Sequence, residues 1–143
     1  MKRILILLFI IGFLSPSVFA QRKLKSSEVP QEVLKSFGTK YTAYKKVIWR
    51  KMDVLYEAEV FIGKKVSFVT FEANGNWVET LTEIKLAELP AEVVAGVKKL
   101  FSSAKLKAAA IIEQSTNVNL YIVQFRYKGK RGEVTLDSKG VQS

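Results

Sequence analysis

The sequence predicts an α+β fold: a tandem repeat of helix plus antiparallel β-hairpin units, with the helices packed on one face of the sheet. Three observations point to it. EVPQEVLKSFGTKY (28–41) returns at an offset of 60 as ELPAEVVAGVKKLF (88–101), each reading Glu, apolar, Pro and then a run with helical spacing. YEAEVFIGKKVSFVTFEANG (56–75) returns at an offset of 65 as YIVQFRYKGKRGEVTLDSKG (121–140). In that second copy Tyr121, Val123, Phe125 and Tyr127 alternate with Ile122, Gln124, Arg126 and Lys128, the period of two that marks a half-buried strand.

The elements follow in chain order. Lys2 and Arg3 precede an apolar stretch from Ile4 to Leu14, Ser15-Pro16-Ser17 breaks it, and Val18-Phe19-Ala20 places small residues at −3 and −1. This is the layout of a signal peptide (1–20) cleaved after Ala20. The alternative is a membrane anchor, but the run falls short of the roughly 20 residues that span a bilayer. The expected product is a single domain over 21–143, in the periplasm or secreted, with no membrane span. Its two repeats cover about 28–80 and 88–143. Loss of Lys2 and Arg3 lowers the formal charge from +10 to +8.

Pro30 and Pro90 suit a first helical position. Val33, Phe37 and Tyr41, and likewise Val93, Val97 and Phe101, share one helical face and are expected in the core. A first strand is expected at 47–52 and near 106–112. In the hairpin that follows, Tyr56, Ala58, Val60 and Ile62 should face the helices, leaving Leu55, Glu57, Glu59 and Phe61 on the outer face. On its return strand Val69 and Phe71 match Val134 and Leu136 and should be core, with Phe68 and Thr70 outside. Trp49 lies in VIWRKM, where both alternating sets are mixed, so core and surface roles stand level. In FEANGNWVET (71–80), Asn74-Gly75 is the signal for a two-residue type I′ turn. Such a turn pairs Glu72 with Trp77 and sends Trp77 to the outer face with Phe68, whereas a longer loop would reverse that. TLTEIKLAE (80–88) joins the two copies.

Taken together, VPQEVLKSF, AYKKVIW (43–49), YEAEV, the FEANGNWVET turn and LPAEV resemble the PepSY-like, β-lactamase-inhibitor-like proteins, exported bacterial proteins common in Bacteroidota. The resemblance covers the whole expected mature chain. It implies a β-lactamase-inhibitor-protein-like fold, in which an open sheet face grips a partner protein. The second copy departs from the pattern. It has four extra residues between Ala104 and Tyr121, and almost nothing remains after Gly140 to build a last strand.

Composition prunes the chemistry. With no histidine and no cysteine, Ser-His-Asp and Cys-His catalysis are impossible, and zinc, haem and copper lose their usual ligands. A disulfide scaffold is excluded as well. Around Gly75 the acids and amides lack the alternate spacing of a calcium loop. Glu57 and Glu59 at i, i+2 would stand about 7 Å apart on one face, a spacing some glycosidases use. Alternating glutamates are also what a solvated strand shows, so no catalysis, metal or cofactor is expected.

The candidate binding residues are therefore surface aromatics and cations. Phe61, Phe68, Trp77 and Trp49 could form an aromatic interface, since aromatics supply large contact area at low entropy cost. Internal cover of Phe61 and Phe68 is the alternative. Lys64 and Lys65, with Lys128, Lys130 and Arg131 in the matching hairpin, could form a basic patch, or simply keep the tips soluble. Two readings follow. One is an exported non-catalytic module that binds a protein or ligand through the open sheet face, in an inhibitor-like manner. The other is a basic envelope-associated structural protein on anionic surfaces. The partner is an unknown protein or an anionic envelope ligand. Nucleic acid is not expected.

Overall fold

The computed structural model describes residues 21–143; the expected signal peptide lies outside them. One antiparallel sheet of eight strands runs in chain order. Its strands are β1 (Arg22–Leu24), β2 (Lys46–Met52), β3 (Leu55–Ile62), β4 (Lys65–Glu72), β5 (Trp77–Ile84), β6 (Lys105–Gln114), β7 (Asn119–Tyr127) and β8 (Lys130–Asp137). Helix α1 (Gln31–Lys40) interrupts the meander after β1, and α2 (Ala91–Leu100) interrupts it after β5.

A short 3-10 turn precedes each helix, Ser26–Glu28 and Leu86–Glu88. Both are closed the same way: Glu28 accepts from the Lys25 backbone N–H at 2.7 Å, and Glu88 from that of Lys85 at 2.7 Å. Those bonds hold both exposed carboxyls below the usual range. Pro30 and Pro90 then cap the helices one position earlier than the first-turn placement expected of them. Each still contributes its carbonyl to the opening turn, accepting from Leu34 and Val94.

The two helices bury the residues their periodicity marks, Val33 and Phe37 in α1, Val93 and Val97 in α2. They fill two cores. The first gathers Val33, Phe37, Trp49, Ala58, Val60, Val69 and Phe71; the second gathers Val93, Val97, Ala109, Val123, Phe125, Val134 and Leu136. Tyr56 packs against the first, but Ile62, at the strand's end, is 40% exposed rather than core. TLTEIKLAE is no mere joint. Its first half is the end of β5, bonded on one side to β4 and on the other to β6.

FEANGNWVET forms a three-residue loop, not the expected two-residue type I′ turn. The Gly75 N–H donates to the Glu72 carbonyl, Glu72 donates to the Asn76 carbonyl, and Gly75 has φ +88°. That is a turn closed by a left-handed residue, the alternative hairpin geometry open to Asn-Gly. The extra residue shifts register so that Phe71 pairs with Trp77. The same bonds recur in LDSKGV: Gly140 donates to the Asp137 carbonyl and Asp137 to that of Val141, with Gly140 at φ +78°. Beyond it the chain makes one bridge, Leu136 to Gln142, the stub of a further strand.

Both glycines also touch the helices. A Cβ on Gly75 would meet the Glu32 carbonyl oxygen at 2.6 Å, and one on Gly140 would meet the Glu92 carbonyl oxygen at 2.1 Å. Each hairpin turn thus seats on the first turn of a helix, where only glycine leaves room.

Candidate binding face

Strand parity divides the sheet. The helices and both cores occupy one face. The other carries Ile48 and Arg50 from β2, Glu57, Glu59 and Phe61 from β3, Phe68 and Thr70 from β4, and Glu79 and Leu81 from β5. Its far half continues through Ala110 and Ile112 to Leu120 and Ile122. A third apolar cluster forms here from strands alone: Leu81, Ala110, Ile112 and Ile122, with Phe68 and Leu120 packed against it.

The sequence-marked residues divide accordingly. Phe61 and Phe68 lie on this second face, both half-buried. Phe61 pairs with Val66 and Phe68 with Glu59, so the two rings are diagonal neighbours, roughly 7–8 Å apart at the backbone. Lys46 sits over the Phe61 ring at 5.9 Å. Trp77 is a correction. Its register opposite Phe71 turns it to the helix face, where it packs on the first core and donates Nε1 to Thr80 Oγ1 at 2.9 Å. Lys40, at the end of α1, stands over its ring at 3.6 Å. Burial lowers the pKa of Lys40. Trp49 is a second correction: it is 3% exposed and meets the Phe37 ring edge-on at 5.1 Å, a core residue with no surface to offer.

The lysines do not converge. Lys65 is bound to Glu88 at 3.3 Å, and Lys64 is exposed at the β3–β4 tip. The β7–β8 tip lies at the same end of the sheet but four strands away, roughly 19 Å at ordinary strand spacing.

Glu57 and Glu59 share the second face as parity requires, but they are buried, at 8% and 7% exposure, rather than solvated. Register supplies the reason. Arg50 and Thr70 flank Glu57, Ile48 and Phe68 flank Glu59, and Glu79 stands beyond Thr70. Arg50 reaches both carboxylates, Glu59 at 2.5 Å and Glu57 at 3.8 Å, though Glu59 Oε2 lacks the alignment of a hydrogen bond. Burial pushes the Glu57 carboxyl up to about 7; Arg50 opposes this, while Glu59 and Glu79 add to it. Burial also raises Glu79, against a hydrogen bond from Gln114. Sequence reasoning saw the pair but missed Glu79 and Arg50, which only strand register brings alongside. Among the described residues no group of acids is placed to hold a metal ion.

At the other end of the face, β6 runs past the last β5 pair, Ile84 with Ala109. Where β5 turns away, two cavities of about 540 and 520 Å³ open. The first is walled by Phe68, Leu81, Ala108 and Ala110, the second by Arg126, Arg131 and Glu133, and they share Lys107 and Gln124.

In sequence, residues 54–141 match the family described as "Putative beta-lactamase-inhibitor-like, PepSY-like". The chain belongs to this family. Solved structures agree on the fold. A DUF2874 family protein from Bacteroides ovatus superposes with a TM-score of 0.71 at 19% identity, over 80% of this chain and 84% of that one. A BLIP-like protein from Bacteroides fragilis gives 0.67 at 20% identity, over 80% and 83%. A protein from Bacteroides eggerthii, described among "putative periplasmic proteins", gives 0.72 at 18% identity, over 80% and 85%. Among curated proteins none matches. PepSY-like membership is thus shown, and among the described residues the fold is an eight-stranded antiparallel sheet with two helices. Among the described residues no helix is long and apolar enough to cross a membrane.

Proposed function

We propose that residues 21–143 act as a non-catalytic binding module of the bacterial envelope, exported by the leader 1–20, which engages a protein or ligand through the second sheet face. The observation that carries this reading is the pair of partly exposed aromatics Phe61 and Phe68 on a face that carries neither helix core, seated beside a buried strand-only cluster of Leu81, Ala110, Ile112 and Ile122. Partly exposed aromatic rings supply large contact area at low entropy cost. Membership of an inhibitor-like family supports a protein partner, and the eggerthii relative supports a periplasmic setting.

The domain is read as two repeats that share one sheet. The paired 3-10 turns and the paired glycine turns support that reading. On this reading the stub at Gln142 holds the place that Trp77 fills in the first copy.

The test is capture from envelope extract by immobilised 21–143 at low and high salt, with Phe61→Ala and Phe68→Ala as comparisons. A face-directed partner is retained at high salt and lost from the variants. Retention by both variants, with loss at high salt, would replace this reading with adhesion of a basic protein to anionic surfaces.

A further inference from the structure

The two neighbouring cavities differ in chemistry. One is walled mainly by apolar side chains, with Glu83 and Lys85 among them, the other by Arg126, Arg131 and Glu133 with Phe125. They meet at Lys107, which the β6–β7 ladder skips, pairing Leu106 with Phe125 and Ala108 with Gln124. Such a bulge re-aims the side chain it carries. Arg126 and Arg131 stand directly opposite each other across β7 and β8. Like charges in that position oppose pairing. Glu133, also in the cavity wall, accepts from Gln124 at 3.1 Å. Among the described residues Lys107 and Arg126 pair with no carboxylate. A pocket of this size with mostly apolar walls and a few convergent polar groups has the form of a small-molecule site.

We infer that this trough binds a single-chain fatty carboxylate, its tail along Phe68, Leu81, Ala108 and Ala110 and its head between Lys107 and Arg126. The inference rests on the second face being a binding face, and names the ligand class for one end of it. Lys107 and Arg126, which pair with no carboxylate among the described residues, decide the head group: both attract an anion, and both repel a cationic head.

Decanoate is the probe, below its micelle concentration, against decyltrimethylammonium with the same tail and acetate with none. Calorimetry of 21–143 should give one site for decanoate, and amide shifts should fall on Leu81, Ala108, Ala110 and Gln124. The cationic amphiphile and acetate should each bind at least roughly tenfold more weakly. Arg126→Glu and Lys107→Glu, both at exposed positions, should each cost about tenfold in affinity. Lys98→Ala, at an exposed position of α2 that lines neither cavity, should change nothing. The inference is overturned if decanoate does not bind, if the cationic amphiphile binds as well, or if neither charge reversal matters. Failure of decanoate binding alongside capture that still depends on Phe61 would remove the ligand assignment and leave the binding face standing.

Discussion

Glu57 ties this sheet face to pH. Its carboxyl is raised to about 7 from an ordinary 4.5, so between those values the folded protein holds a proton that the unfolded chain has released. Stability must then fall as pH rises through that window, by roughly 3 kcal/mol in the limit. Glu57→Gln should flatten the decline, leaving the variant more stable than the parent at pH 8 and close to it at pH 4.5. Urea midpoints at both pH values check this. Trp49 makes the opposite kind of prediction. Trp49→Ala should cost about 3–5 kcal/mol, since it empties a buried aromatic site against Phe37, read as a lower thermal midpoint. Neither role was legible in the residue's own neighbourhood. Alternation assigned Glu57 to its face correctly, but burial there depends on Arg50, Thr70 and Glu79, which belong to other strands. Around Trp49 the alternation is mixed, so only the fold decides.

The glycines separate turn from helix at the scale of elements. Gly75→Ala and Gly140→Ala should each destabilise by about 1–3 kcal/mol from the left-handed backbone alone, and by more through collision with the helix carbonyl. Gly38 lies inside α1 with open space around it, so Gly38→Ala should stabilise by about 0.5–1 kcal/mol. Chemical denaturation of the three variants gives the comparison. The helices, the hairpins and the core parity of β3 and β4 were legible because periods of 3.6 and 2 are written in one segment at a time. The face of Trp77 was not. A loop one residue longer turns Trp77 over, a bulge at Val78 restores the shorter loop's register from Glu79 onward, and Asn-Gly serves both lengths. β5 was read as a joint because TLTEIKLAE alternates weakly; its strand character comes from neighbours on both sides.

For the molecule as a whole, the two cores stand on one uninterrupted sheet, and both tryptophans report on the first core only. If β5 couples the halves, tryptophan fluorescence and far-ultraviolet circular dichroism should trace one coincident unfolding curve. A Val123→Ala change in the second core should shift the fluorescence midpoint as much as the dichroism midpoint. Separate transitions would mean that the halves melt independently. The meander itself has a consequence for how such a chain comes into being. Each strand bonds to the one before it in sequence, and only α1 and α2 intervene between partners. No strand waits for a distant segment, so loop-closure entropy stays small at each step. A chain delivered amino end first can zip its sheet as it arrives, with β8 taking its place last.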